Sequence, residues 1–190
     1  RVMEGAGEDP YLGAKIAIAR VKGFQGDDLR APDTILATAK HFAGYGFAEA
    51  GKDYNAVEVG TVTLHNMILQ PFRDVLDTAN PRSVMNAFNT INGIPATGDE
   101  ALQRDLLKGQ WAFDGVVVSD WGSALEMIDH GFATDGRDAA RLAITAGSDV
   151  DMESYVYLDH LDSLVESGEL DEDLIDDAVR RTLRVKFELG

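Results

Sequence analysis

Short β-rich runs alternate with stretches of helical periodicity along the chain. The runs lie at residues 34–39, 83–88, 115–118 and 147–151. Between them, apolar residues recur at four-residue steps, as they do from Leu64 through Ile68 and Phe72 to Leu76, which is the spacing of one face of an α-helix. Strands that alternate with helices in this way are typical of parallel βαβ units. The third run contains three consecutive valines, which favours a strand covered on both faces.

Residues suited to helix ends mark where the helices begin and stop. Pro10 is suited to the first turn of a helix that is expected to end at Gly23. Asp99 and Asp135 are suited to capping the helices that follow them, because an aspartate in that position accepts a backbone N–H. The last helix has acidic residues in its first turn and arginines further on, which complements the helix dipole. Helices are therefore predicted to begin near residues 10, 61, 99, 135, 155 and 171.

The number of strand–helix units indicates the fold class. A (β/α)8 barrel needs eight such units and usually takes about 250 residues, whereas four units fill the 190 residues of this chain. We therefore expect an α/β fold, namely a partial TIM-type barrel that forms roughly the C-terminal half of a barrel domain. Residues 1–190 would then be a fragment of one domain, and residues 1–10 have the composition of a loop rather than of a domain's first element.

Composition and charge exclude several classes of partner. The 33 acidic and 17 basic residues give a formal net charge of −16, which disfavours nucleic acids and anionic lipid surfaces. No apolar run approaches the length of about 18 residues that a membrane span needs, so no membrane contact is expected. The chain has no cysteine, which removes disulfides and thiol chemistry. The four histidines lack the spacing of a zinc hydrolase, and no glycine-rich phosphate loop is present, so neither a metal nor another cofactor is expected.

The strand ends carry the candidate chemistry, because reactive residues of parallel α/β folds collect at the carboxyl ends of the strands. Asp120 follows the run 115–118 after one intervening residue, Ser119. It could simply cap the next helix. The neighbouring Trp121 favours a functional interpretation, since an indole offers an apolar wall for the face of a sugar ring.

Lys40 and His41 follow the run 34–39 and would place two hydrogen-bond donors on the same rim. Each has a structural alternative, because a single histidine at a strand end is often a satisfied structural residue and a single lysine is usually solvated. Their adjacency, with two glycines shortly after them, favours a binding role, since glycine lets the backbone approach a ligand closely. Phe88, at the end of the run 83–88, could line a pocket or belong to the core.

Several sequence runs, taken in order, resemble one family. They are EGAGEDPYL from Glu4, AKHFAGYG from Ala39, GKDYN from Gly51, SVMNAFN from Ser83, NGIPAT from Asn92 and GVVVSDW from Gly115. Together they resemble the N-terminal barrel domain of glycoside hydrolase family 3, especially its bacterial β-glucosidases of the periplasmic type. The resemblance spans essentially the whole chain, and the order of the runs is more specific than any one of them.

The resemblance implies retaining hydrolysis of terminal non-reducing β-D-glucosyl residues. It makes Asp120 the catalytic nucleophile, which would form a covalent glycosyl-enzyme intermediate. It also implies a set of substrate-binding residues, namely Arg1, Lys40, His41, Phe88 and Trp121. Phe88 lacks the hydroxyl of a tyrosine, so it would contribute an aromatic surface and no hydrogen bond.

The rest of the reaction machinery is expected outside this chain. The family's acid/base resembles a glutamate on a C-terminal domain of the same polypeptide, so the fragment alone is expected to be inactive. The implied substrates are β-linked glucosides or oligosaccharides, and relatives suggest a periplasmic or secreted protein. A β-xylosidase or another exo-β-glycosidase of the family, a non-catalytic carbohydrate-binding barrel and a different (β/α)8 enzyme remain as alternatives.

Overall fold

A computed structural model describes residues 5–190. The helices are α1 (Pro10–Gln25), α2 (Thr61–Thr63), α3 (Gln70–Ala79), α4 (Ser123–Asp129), α5 (Gly136–Ala146), α6 (Val156–Glu166) and α7 (Glu172–Leu189), with π-helices at Leu64–Leu69 and Ala101–Gln110. The strands are β1 (Thr38–Phe42), β2 (Ser83–Asn86), β3 (Thr90–Ile91), β4 (Ile94–Pro95) and β5 (Val116–Val118). Short 3₁₀ turns occupy Tyr45–Phe47, Glu49–Gly51 and Ala96–Gly98.

The main sheet is parallel, and its strands follow one another in sequence order. β2 lies between β1 and β5, and it is parallel to both. Beyond β5, Val150 forms a further parallel bridge with Val118. The strands β3 and β4 form a small antiparallel hairpin after β2. The predicted α/β class with parallel strands is therefore confirmed.

Two predicted strands differ from the observed structure by more than two residues, for an identifiable reason in each case. The first strand begins at Thr38 rather than at residue 34, because the N–H groups of Ile35 and Ala37 are taken by Phe24 and Gln25 at the end of α1. Lys40 and His41 therefore lie within β1 rather than after it. The run 147–151 forms only a single bridge. There the chain is held by other bonds, since the N–H groups of residues 149 and 150 both donate to the Val117 carbonyl.

The helix ends largely follow the predicted residues. Pro10 is the first residue of α1. The side chains of Asp99 and Asp135 accept backbone N–H groups at the starts of their helices. The predicted stop at Gly23 is wrong, because α1 continues to Gln25 and ends where Gly26 takes a positive φ of 56°, a conformation that glycine adopts without steric cost.

The buried apolar residues form two main clusters that support the sheet. The first contains residues from all three main strands, Phe42, Val84 and Val117, packed with Leu107 of the 101–110 helix. The second lies among α4, α5, α6 and α7 and is centred on Met127, Ile144 and Leu164. Within residues 5–190, no helix combines the length and the apolar character needed to cross a membrane. The clusters give the strand ends a rigid support.

An arginine ties the last helix to the amino end of the sheet. Arg82, which precedes β2, donates two hydrogen bonds to Glu188 of α7, at 2.7 and 2.9 Å. It also pairs with Asp114, which lies shortly before β5. This planar, bidentate geometry suits a guanidinium group. The contacts lie at the amino ends of the strands, opposite the end that carries Asp120.

Candidate active site

Side chains from non-adjacent strands meet at the carboxyl end of the main sheet. His41 belongs to β1, and Asp120 lies two residues beyond β5. Although β2 separates these strands, Nε2 of His41 lies 3.2 Å from Oδ2 of Asp120. Both residues are buried. The two side chains therefore meet across the end of β2.

The two carboxylate oxygens of Asp120 have different surroundings. Oδ1 accepts the Trp121 N–H at 2.7 Å. Oδ2 is buried and has no hydrogen-bond partner among the described residues, since the His41 contact is close but does not have hydrogen-bond geometry. A buried carboxylate oxygen without a donor is costly. Oδ2 is thus the oxygen that is left available for a reaction or a ligand.

The capping interpretation of Asp120 is contradicted. Helix α4 is preceded by Gly122, and no side chain caps it. The N–H of Ser123 donates to the main-chain carbonyl of Asp120 rather than to its carboxylate. The Asp120 carboxylate therefore does not cap α4.

Hydrogen bonds to the next loop fix the segment that carries Asp120. The Ser119 N–H donates to the Val150 carbonyl at 2.9 Å, and the Gly122 N–H donates to the Met152 carbonyl at 3.0 Å. Between them, the Met152 N–H donates to the Ser119 hydroxyl at 2.8 Å. Bonds on both sides of Asp120 thus hold its backbone against residues 150–152.

An aromatic cluster adjoins the histidine. The ring of His41 lies 4.4 Å from that of Tyr45 and 6.3 Å from that of Phe88, measured between centroids. Tyr54 stacks on Phe88 at 4.2 Å, with 22° between the ring planes. Tyr45 and Tyr54 were not among the predicted site residues. Both lie in the runs that carry the family resemblance, which was the available signal for them.

The remaining predicted residues have distinct positions. Trp121 follows Asp120 and is 62% exposed. Lys40 precedes His41 in β1 and is also exposed. Arg1 lies outside the described residues. The structure therefore brings Asp120, His41 and Phe88 together at one rim, beside Trp121. Among residues 5–190, no group of three or more His, Asp and Glu side chains is arranged to hold a metal ion.

A buried polar network supports this rim from within. Its members are Asn86, Thr97, Gln103, Ser123 and Ser148, all fully or almost fully buried. Asn86 donates to Gln103 and Ser148, and Thr97 donates to Asn86 and contacts the Ser123 hydroxyl. This network was not predicted from the sequence, because scattered polar residues produce no periodic pattern. It connects β2 and the 101–110 helix to the start of α4.

The chain is similar to known proteins along its whole length. A sequence profile described as "Glycosyl hydrolase family 3 N terminal domain" matches residues 1–185. The chain is 40% identical over 190 residues to a periplasmic β-glucosidase of Salmonella typhimurium, covering 100% of this chain and 25% of that protein. It is 32% identical over 201 residues to a β-xylosidase of Formosa agariphila, covering 100% and 28%.

A solved structure is also similar throughout the chain. The crystal structure of a β-glucosidase from Listeria innocua in complex with glucose superposes with a TM-score of 0.97 at 44% identity. The match covers 100% of this chain and 27% of the Listeria chain. The chain thus spans about a quarter of the length of the relatives that it matches.

Proposed function

The chain belongs to glycosyl hydrolase family 3, and we propose that within its full-length protein it carries the nucleophile for retaining hydrolysis of terminal β-D-glucosyl residues. One observation supports this most directly. Asp120 presents a buried carboxylate oxygen without a hydrogen-bond donor, 3.2 Å from the His41 ring. The relatives from Salmonella and Listeria are named β-glucosidases, and the Listeria protein binds glucose.

The proposed reaction has two displacement steps at the anomeric carbon. In the first, Oδ2 of Asp120 attacks that carbon, the bond to the leaving oxygen breaks, and an acid donates its proton to that oxygen. In the second, the conjugate base takes a proton from water, the water oxygen attacks the same carbon, and the Asp120 carboxylate is released. The sugar leaves with its original anomeric configuration. Trp121 and Phe88 would offer apolar surfaces to the sugar, and His41, Lys40 and Arg1 would hydrogen-bond its hydroxyls.

The acid is proposed to be a glutamate from a C-terminal domain of the same polypeptide. Retention requires two carboxyl groups about 5 Å apart. The chain spans only about a quarter of its relatives, so the full-length proteins have ample further sequence. On this basis the isolated residues 1–190 provide only part of the sugar-binding site and do not hydrolyse the substrate.

We also propose that further strands of the full-length protein close the sheet into a (β/α)8 barrel, of which residues 1–190 form roughly the C-terminal half. The sequential parallel order of β1, β2, β5 and Val150 supports this, because doubly wound sheets reverse their order at a switch point. Beyond Val150, an open groove of about 540 Å³ is lined by residues that include Leu158, Val179 and Leu183. Amide hydrogen exchange in the full-length protein tests the closure: slow exchange along the edge of β1 that faces away from β2 supports it, and fast exchange there contradicts it.

Mechanism-based labelling tests the nucleophile. The full-length enzyme is treated with an activated 2-deoxy-2-fluoro-β-glucoside, digested and examined by mass spectrometry. The sugar is expected as an ester on the peptide that contains Asp120. Asp120→Asn should abolish both labelling and turnover, whereas Asp129→Asn, at an exposed position in α4, should change neither. Labelling of another residue, or full activity of Asp120→Asn, would refute the assignment.

A second candidate activity is β-xylosidase, because the Formosa relative carries that name. The two activities differ in how the pocket treats the sugar's hydroxymethyl group. Comparing kcat/KM for matched aryl glucosides and aryl xylosides decides between them. Binding of both sugars without turnover would instead indicate a non-catalytic carbohydrate-binding barrel. The name of the Salmonella relative supports a proposed location in the periplasm or outside the cell, which fractionation of the native host tests.

A further inference from the structure

A buried ion pair lies beside the strand that leads to Asp120. Nζ of Lys108 is 2.6 Å from Oδ1 of Asp149. The side chains are only 4% and 2% exposed. Lys108 belongs to the 101–110 helix, and Asp149 lies just after α5, before the Val150 bridge. The pair thus joins the helix that precedes β5 in the chain to the segment that follows α5.

Asp149 makes two hydrogen bonds to one residue of β5, as acceptor in one and as donor in the other. Its Oδ2 accepts the Val117 N–H at 2.7 Å. Its own N–H donates to the Val117 carbonyl at 2.8 Å. Lys108 holds the other carboxylate oxygen, so the orientation of the carboxylate toward Val117 is fixed. The middle residue of β5 is therefore fixed to Asp149 on both its donor and its acceptor side.

The same side of the strand continues to the nucleophile. Beyond Val117, the chain is bonded to residues 150 and 152 through Ser119 and Gly122. Asp120 lies between these two attachment points. Because the bonds follow one another along the strand, a shift at Val117 would move the Asp120 backbone along β5. A displacement of about 1 Å at a reacting group can reduce a rate about a hundredfold.

Stability alone does not account for the pair. Removing two charges from water costs several kcal/mol per ion, and apolar replacements of similar volume are often at least as stable. Desolvation lowers the pKa of Lys108 and raises that of Asp149, against the mutual attraction of the two charges. An apolar pair would fill the space, but it could not accept the Val117 N–H.

We propose that Asp149 and Lys108 are positioning residues that set the position of Asp120 beyond the end of β5. This inference rests on the proposed function, because it assigns them to the glycosylation step. Neither side chain touches the sugar. Their loss should therefore slow the attack of Asp120 and leave the affinity for glucose largely unchanged.

Two double variants of the full-length enzyme separate positioning from simple packing. Lys108→Met/Asp149→Asn removes both charges but keeps an amide oxygen that can accept the Val117 N–H. Lys108→Met/Asp149→Leu removes the acceptor as well. Two quantities are measured for each variant. They are the first-order rate of labelling by saturating 2-fluoro glucoside and the inhibition constant for glucose. Arg82→Met serves as a control, because it removes a buried arginine that pairs with two more exposed carboxylates at the opposite end of the sheet.

The leucine variant is expected to be labelled at least about tenfold more slowly, with a nearly unchanged inhibition constant, while the asparagine variant and Arg82→Met stay close to wild type. Equal labelling rates in the two double variants would overturn the inference. If the leucine variant does not fold, Lys108→Met/Asp149→Ala takes its place with the same expectation. If the wild-type enzyme itself is not labelled on Asp120, the proposed function fails, and this inference fails with it.

Discussion

Replacing Asn86 with alanine tests the buried network beneath the rim that carries Asp120 and His41. The side chain is 0% exposed. Its amide donates to Gln103 at 3.1 Å and to Ser148 at 2.7 Å, and its oxygen accepts from Thr97 at 2.9 Å. At about 1 kcal/mol for each hydrogen bond, the loss is about 3 kcal/mol. Alternative partners limit the further cost, because Thr97 can still donate to the Ala87 carbonyl and Ser148 to Gln103.

Hydrogen exchange of the full-length protein measures this loss locally, without requiring the whole chain to unfold in one step. The exchange rate depends on the free energy of local opening. Lowering that free energy by about 3 kcal/mol makes the peptide that covers β2 exchange roughly a hundredfold faster. Asn66→Ala, at an exposed position in the 64–69 π-helix, is the matched control and should change the opening free energy by less than about 0.5 kcal/mol.

A double-mutant cycle with Ser148→Ala tests whether the residues act as a network. Because Asn86 and Ser148 share a hydrogen bond, their effects should deviate from additivity by about 1 kcal/mol. Additive effects, or an Asn86→Ala variant that exchanges like the Asn66→Ala control, would refute the reasoning.

Three further predictions address the rim, the core and the opposite end of the sheet. Trp121→Ala should raise KM for a β-glucoside about fivefold, by the roughly 1 kcal/mol that an aromatic contact contributes, while labelling of Asp120 persists; an unchanged KM would contradict a sugar contact. Leu107→Ala, at a fully buried core position, should cost about 2–5 kcal/mol, seen as a lower urea midpoint with normal kcat at 25 °C. The hydrogen bond from Arg82 holds the pKa of Asp114 below its ordinary value of 3.8, so the pair stabilises the fold above that pH and loses this contribution as the pH falls through the lowered pKa. Asp114→Asn should therefore lower the urea midpoint at pH 7 and differ less and less from wild type below pH 3.8; a difference that does not depend on pH would exclude this linkage.

The sequence predicted features that depend on local pattern and missed those that depend on tertiary contacts. The parallel alternation and the aspartate caps follow from residue type and spacing, and both were confirmed. The start of β1 was misplaced, because the N–H groups of Ile35 and Ala37 are used by α1, a contact that no local pattern reveals. The predicted helix end at Gly23 is wrong, because the helix stops where Gly26 adopts a positive φ. The Lys108–Asp149 pair joins residues 41 positions apart, beyond the reach of any periodicity argument.

The distribution of unpaired polar atoms distinguishes the two ends of the sheet. Within residues 5–190, the buried side-chain atoms without a hydrogen-bond partner are Asn89 Oδ1, Asp120 Oδ2, Asp151 Oδ1 and Ser154 Oγ. All four lie in segments that follow a strand or the Val150 bridge. At the amino end, by contrast, Nε, Nη1 and Nη2 of Arg82 each donate a hydrogen bond to a carboxylate. Because folded proteins rarely leave buried polar groups unpaired, such a concentration at one end is consistent with the proposal that a sugar, or the rest of the polypeptide, supplies the missing partners. The same asymmetry explains why packing alone would not have selected Asp120: one oxygen of its buried carboxylate has no hydrogen-bond partner within residues 5–190.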